Sequence, residues 1–316
     1  MIGDRAQLTA GYVARHLPPG SKVGLEIARL DIAQDFLLAH LAAEGVFDLV
    51  TFKGGTALRK LVAGGQGRFS TDIDLAAQPD AEADRRALTD LVAAQCTTTL
   101  GPFQYVARPQ RDRYTVQVTT ALGPVEQTIK LEIGPPCWLP PEPRAFIPHL
   151  TQQRYGFLLP ALPCMRLEEI LAEKVARLMR QSTARDAYDL VWIARTSPWS
   201  QFDRPLVRRL AVLKVWADNN GLGTIWRQAL HPQAFDATRW LGPRGSSWDD
   251  EQIGLLAQPA PPLAELGADL SRYYGWLANL DEEEAHWARV DPRDRASVLA
   301  ALQSLPGERL ARLPLY

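Results

Sequence analysis

Lys53-Gly54-Gly55-Thr56-Ala57-Leu58, followed after a break at Gly64-Gly65-Gln66-Gly67 by Arg68-Phe69-Ser70-Thr71-Asp72-Ile73-Asp74-Leu75-Ala76, decides the reading of this chain. The apolar run from Val46 to Phe52 predicts a strand that ends at two glycines, and Thr56 opens a short helix carrying Ala57, Leu58, Leu61 and Val62. Strand, glycine turn and helix N-terminus together aim backbone N–H groups and a hydroxyl at a place where an anion fits. After the break the residues alternate, so Asp72 and Asp74 share one face of a strand and Ile73 and Leu75 the other. Two neighbouring carboxylates repel unless a cation lies between them. Hard oxygen ligands of this kind suit Mg²⁺ bound together with substrate phosphates, the arrangement used in phosphoryl transfer. Taken alone, the glycines read as an ordinary turn and the aspartates as the solvated face of an edge strand. Together, with Arg68 and Ser70 beside the acids, they read as a catalytic motif.

The rest of the composition is that of a soluble globular protein: 316 residues, 46% hydrophobic and 22% charged, with a formal net charge of −1. That length suits one large or two modest domains, and two lobes are expected. Charge interrupts every long apolar stretch, so no membrane span is expected, and Met1-Ile2-Gly3-Asp4-Arg5 lacks the layout of a secretory signal; the expected location is cytoplasmic. Cys96, Cys137 and Cys164 have neither disulfide parity nor metal-ligand spacing and read as plain thiols. Charge is uneven: Arg144 to Arg227 holds 13 Lys and Arg against 7 Asp and Glu, whereas Gln228 to Glu284 holds 3 against 10. A basic middle suits an RNA backbone and an acidic end a basic partner, or both are solvated helix surfaces.

Upstream of the motif, a short helix is expected between Gly3 and Leu17 and a stronger one from Ser21 to Glu44, with His40 on its apolar face as a core histidine. Downstream come a helix from Asp80 to Cys96 and strands around Tyr105 to Ala107, Tyr114 to Thr119 and Ile129 to Ile133, the last two joined by a turn at Leu122-Gly123-Pro124. Glu132 lies on the polar face of the last strand with Lys130, either as a further acid of the site or as half of a Lys–Glu pair. The proline-rich stretch 141–163 is expected to be a linker with a short strand near Gly156 to Leu159, dividing a lobe of residues 1–140 from a helical lobe of residues 164–316.

In that second lobe, Leu167, Ile170, Leu171, Val175, Leu178 and Met179 form an apolar helical stripe with Lys174 in its midst. An ammonium there must snorkel to the surface, be paired, or face an anion. A new helix restarts at Ser182-Thr183-Ala184-Arg185-Asp186-Ala187-Tyr188-Asp189-Leu190, where Thr183 and Asp186 have capping spacing. Further helices are expected at Arg204 to Asn219, Thr224 to Leu230, Pro262 to Leu280 and Pro292 to Leu302, with seven of nine tryptophans in this last third read as packing residues.

The motif from Phe52 to Leu61 and from Arg68 to Asp74 resembles the first motif of the AbiEii nucleotidyltransferase family, which includes the toxins of AbiE phage-defence systems and the mycobacterial MenA toxins. The resemblance is specific over Val50 to Ala76, recurs around Lys130 to Ile133 and Arg166 to Ile193, and fades after about Trp199. It implies an α+β fold of the polymerase-beta-like superfamily, a mixed-sheet lobe followed by a mostly helical one. It also implies Mg²⁺ (or Mn²⁺) on Asp72 and Asp74 with Glu132 as third ligand, and an NTP, CTP or UTP in the case of the mycobacterial relatives. Lys53, Gly54, Gly55, Thr56, Arg68 and Ser70 would bind its phosphates and Lys174 would counter their charge. Asp186 is carried over as the required acidic residue, with Asp189 second, their role being to hold Lys174 or a base edge, or structural. The implied activity is transfer of NMP to the tRNA 3′ end, blocking translation, with a cognate antitoxin as partner. Two other readings stay open: the same chemistry on a protein or small-molecule hydroxyl, and a non-catalytic nucleotide-binding regulator.

Overall fold

The computed structural model describes residues 2–65, 67–110, 113–125, 128–180, 183–196, 202–218, 248–289 and 296–305. The chain divides into two compact units, one made of Met1–Cys137, Pro141–Met165 and Asp250–Pro259, the other of Trp138–Pro140, Arg166–Asp249 and Ala260–Tyr316.

Unit 1 is α+β, as expected, and is built on one mixed sheet. Its strands are β1 (Val50–Lys53), β2 (Asp72–Ala77), β3 (Thr98–Leu100), β4 (Phe103–Gln110), β5 (Arg113–Thr120), β6 (Ile129–Gly134), β7 (Glu142–Arg144) and β8 (Leu162–Cys164). They lie in the order β3-β4-β5-β6-β2-β1-β8-β7. β1 pairs antiparallel with β2 and parallel with β8, and β2 pairs parallel with β6. Alternation gives the sheet one apolar face, on which Phe103, Tyr105, Val116, Val118, Ile129, Leu131, Ile73 and Leu75 are buried. The helices α2 (Leu25–Ala43) and α4 (Arg85–Gln95) back that face: the Tyr105 hydroxyl donates to the Ala33 carbonyl at 2.8 Å and the Tyr114 hydroxyl to Asp90 at 2.8 Å.

Helix α2 departs from the one-sided helix that its apolar spacing suggests, because Arg29, Asp31, Gln34 and Asp35 are buried along with its leucines. Each has a hydrogen-bond partner in a distant part of unit 1. Arg29 donates to the carbonyls of Leu122 and Pro124 in the turn between β5 and β6. Asp31 accepts from Arg59 at 3.2 and 3.3 Å and from Lys60 at 3.1 Å, and lies 2.6 Å from His16 Nε2. Lys60 also donates to Asp35 at 2.6 Å, whose other oxygen accepts from the Tyr155 hydroxyl at 2.6 Å. Burial raises the cost of ionising Asp31, yet Arg59, Lys60 and His16 overcome it and hold the carboxyl well below the usual carboxylate range. His149 closes the cluster; burial, with the nearby His16, pushes its pKa down to about 4, so it adds no further positive charge at neutral pH.

The stretch 141–163 is not a linker. It belongs to unit 1 and contains β7, a 3₁₀ turn over Leu150–Arg154 and the start of β8, whereas Gly156 to Leu159 forms no strand. Prolines hid the strands: Pro143 pairs opposite Pro163, and β8 joins β1 through the single register pair Phe52↔Cys164 and the Met165 N–H on the Phe52 carbonyl. Unit 1 also takes in Leu255 and Ala257, which share a core with Val23, Ile27 and Phe69. The first helix is shorter than expected, α1 spanning Ala10–Ala14.

Unit 2 is helical among its described residues apart from short connections. Helix α5 (Leu167–Arg180) packs on α6 (Ala184–Thr196) and α7 (Arg204–Asp218), and a helix over Leu263–Tyr274 packs on α6. Glu169 is buried in α5 and accepts from the N–H groups of Trp138 and Leu139 at 2.7 and 2.9 Å and from Lys214 at 2.8 Å. The helix expected at Thr224 to Leu230 lies outside the described residues. The three cysteines are buried and none is joined in a disulfide.

Replacing one partner of a buried ion cluster strands the others, so Asp31→Asn is expected to destabilise the protein by about 3–5 kcal/mol at neutral pH, read by urea unfolding. Because the folded pKa of Asp31 is depressed, its contribution is complete above the ordinary value of 3.8 and is lost only as pH falls below it. The gap between variant and wild type should therefore be constant from pH 7 to 5 and narrow in stronger acid.

Candidate active site

β1 runs straight into α3 (Gly54–Leu58), which continues as one wider π turn over Arg59–Ala63. Gly54 has φ +79°, and a Cβ there would overlap the Asp74 carboxylate, with Asp74 Cβ and Cγ only 2.8 Å away. A Cβ on Gly55 would come within 2.7 Å of Arg68 Nη2 and 3.3 Å of Ser70 Oγ. The two glycines thus bring bare backbone against the acid of β2 on one side and the Arg68–Ser70 segment on the other. The first N–H groups of α3, which have no partner within the helix, lie at this same turn.

The sheet register collects the charged residues in rows. Lys53 pairs with Asp74, and Asp74 with Glu132, so three side chains from β1, β2 and β6 stand side by side on the face opposite the apolar core. In the next row Asp72 pairs with Lys130. Ile73 and Leu75 are buried beneath, while Asp72 and Asp74 are half-buried and Glu132 is exposed. Lys53 Nζ reaches across to Gly134, whose Cβ would lie 4.0 Å from it.

Thr56 has a different place from the one its position suggests. It is fully buried, and its hydroxyl donates to the Asp72 carbonyl, so it ties α3 to β2. Ser70 is buried at the turn, with its carbonyl accepting from Gln34 at 3.0 Å. Arg68 folds back on its own segment, donating to the Phe69 carbonyl at 2.9 Å, and Phe69 is tied to Leu255 through its N–H at 2.8 Å.

The donors on this face are oxygens. Magnesium in phosphate-handling sites takes one or two carboxylates and fills its shell with substrate phosphates and water. Asp72 and Asp74 supply that number, and Glu132 stands next to Asp74. Among the described residues, no three His, Cys, Asp or Glu are grouped so as to hold a metal ion by themselves.

Lys174, Asp186 and Asp189 come together in unit 2. Lys174 is 8% exposed and donates to Asp186 at 3.1 Å and Asp189 at 2.8 Å, which joins α5 to α6. Burial opposes ionisation of Asp186, but Lys174, Arg177, the Thr183 hydroxyl at 2.7 Å and Arg185 prevail and hold its carboxyl far below the ordinary range. Thr183 precedes the first residue of α6 and accepts from the Asp186 N–H at 3.3 Å, so Thr183 caps the helix while Asp186 fixes the lysine. Two of the three ammonium donors are used in these bonds.

Local sequence pattern did not point to the polar residues that brace this turn from below: His16, Asp31, Gln34, Asp35, Arg59 and Lys60. The available signal was Asp31 and Asp35, one turn apart among the apolar residues of α2.

A sequence model of the nucleotidyl transferase AbiEii toxin of type IV toxin–antitoxin systems matches residues 35–269. The chain belongs to this AbiEii family of nucleotidyltransferase toxins. Among solved structures it is similar to MenT4, a nucleotidyltransferase toxin from Mycobacterium tuberculosis H37Rv, at 34% sequence identity and a TM-score of 0.80, covering 95% of this chain and 100% of that one. No curated protein matches.

As an enzyme of this family, the protein acts in the nucleotidyltransferase class, and a toxin of a type IV system implies an antitoxin. Lys174→Met should leave Asp186 and Asp189 buried without their counter-charge and lower stability by about 3–5 kcal/mol. Melting curves of Lys174→Met and of Lys174→Met combined with Asp186→Asn test this: the second change should restore part of the loss.

Proposed function

We propose that the protein transfers a nucleoside monophosphate from an NTP to the 3′ end of tRNA, with Mg²⁺ on Asp72 and Asp74. The observation that carries the reading is the approach of Gly54 to Asp74, which sets the start of α3 directly against the acidic row. A bound divalent ion would neutralise phosphate charge there, held by Asp72 and Asp74 with Glu132 beside them. The backbone at Gly54 and Gly55, with Ser70, Arg68 and Lys53, orients the triphosphate by hydrogen bonds and charge. The acceptor hydroxyl forms its bond to the α-phosphorus as the bridge to the β-phosphate breaks, and pyrophosphate leaves. CTP and UTP are the expected donors.

A tRNA whose 3′ end carries extra nucleotides cannot be aminoacylated, so translation stops, in keeping with the toxin class. Such a substrate places the protein in the cytoplasm. No helix among the described residues is long and apolar enough to cross a membrane.

Incubation with each α-labelled NTP, Mg²⁺ and purified tRNA is the direct test. Wild type should label tRNA and release pyrophosphate, and Asp72→Ala should lose at least a thousandfold in rate, about 4 kcal/mol of transition-state stabilisation, while keeping its melting temperature. Label on a protein or a small molecule in place of tRNA would reassign the acceptor, and undiminished transfer by the folded variant would remove Asp72 from the mechanism.

A further inference from the structure

The sheet carries more on its polar face than the acids. Three successive register pairs, Arg108↔Thr115, Thr115↔Lys130 and Lys130↔Asp72, form one straight row across β4, β5, β6 and β2. Register partners point to the same face, so this row runs from a catalytic carboxylate to a basic residue three strands away, about 14 Å at ordinary strand spacing. Arg108 and Lys130 are exposed. Arg113, two residues before Thr115, alternates onto the same face and is exposed as well.

The rows farther from the acids are uncharged and polar. Val106 pairs with Gln117, and Gln104 pairs with Thr119 on one side and Thr99 on the other; Gln104, Gln117, Thr119 and Thr99 are all exposed. Strands β3, β4 and β5 contain no acidic residue at all, reading TTL, FQYVARPQ and RYTVQVTT. The helices that pack on these strands do so on the other face, where Tyr105 and Tyr114 meet α2 and α4. The aromatic residues of β4 and β5 belong to that covered side, so the open face offers hydrogen-bond donors and positive charge without a stacking platform.

We infer that this open face of β4, β5 and β6 is the track along which the single-stranded end of an RNA acceptor lies as it enters the acidic row. Arg108, Arg113 and Lys130 would meet phosphates, and the Thr and Gln side chains would meet sugar hydroxyls and phosphate oxygens. Binding of this kind is insensitive to base sequence and strongly dependent on salt. The inference rests on the RNA acceptor proposed above and adds the surface that receives it.

The test is Arg108→Glu combined with Arg113→Gln, both on exposed strand positions, with folding checked by melting. Two measurements are made: steady-state nucleotide transfer to tRNA, and fluorescence-anisotropy binding of a labelled RNA hairpin with a single-stranded 3′ end over a salt series. The expected result is at least a tenfold rise in KM for tRNA with kcat and the KM for NTP unchanged. The slope of log affinity against log salt should also fall in magnitude by about 1.4, about 0.7 for each phosphate that an arginine no longer neutralises. Unchanged RNA affinity and salt slope in a folded double variant would overturn the track, as would wild type that binds no RNA. If wild type binds RNA through these arginines but transfers no nucleotide to it, the track stands and the RNA acceptor reading falls.

Discussion

Unit 1 depends on one desolvated carboxylate. Asp31 sits inside α2, where an uncompensated charge would be intolerable, and it is compensated by Arg59 and Lys60, the two residues that directly follow α3. The same guanidinium reaches the carbonyls of Gly65 and Gly67 at 3.3 and 3.4 Å and lies 3.5 Å from the centre of the Phe69 ring. One side chain therefore holds the end of the first half of the motif, the glycine break and the beginning of the second half. Gln34, a turn along α2, adds a hold on Ser70. The register between β1 and β2 then completes the arrangement by placing Asp74 opposite Lys53 and against Gly54.

This explains why the two half-motifs can be separated by a loop of glycines and still define one site. A glycine-rich connection has no side chains to fix its path and loses much conformational entropy on ordering. Arg59 fixes that path from beneath, through the carbonyls that glycine leaves accessible. A second buried ion cluster plays a similar part in unit 2, where Lys174 joins α5 to α6 through Asp186 and Asp189 and Lys214 joins α7 to α5 through Glu169. Each unit thus has an interior charge group that ties its elements together, over and above its apolar packing.

Much of this was legible from local pattern. Alternation in Asp72 to Ala76 and in Ile129 to Ile133 gave the faces of β2 and β6, and the turn at Leu122-Gly123-Pro124 gave β5 as the hairpin partner of β6. The apolar stripe of α5 with a lysine inside it forced the choice among pairing, anion binding and snorkelling, and pairing is what the structure has. What escaped was long-range. β7 and β8 are three residues each, contain prolines and are recognisable as strands only through their neighbours in the sheet. Thr56 looked like a phosphate ligand because its spacing from Gly54 is right, but only the register shows the Asp72 carbonyl above its hydroxyl. The partners of Asp31 lie 28 and 29 residues away in sequence, and no periodicity within α2 could reveal them.

The central claim is that the Gly54 turn and the row of Asp72 and Asp74 together receive the nucleotide triphosphate and its ion. A crystal structure with Mn²⁺ and a non-hydrolysable NTP tests it most directly. The expected result is anomalous density bonded to Asp72 and Asp74, with the phosphates against the Gly54–Gly55 backbone. Manganese and phosphates bound elsewhere on the protein, with both carboxylates in water, would contradict it.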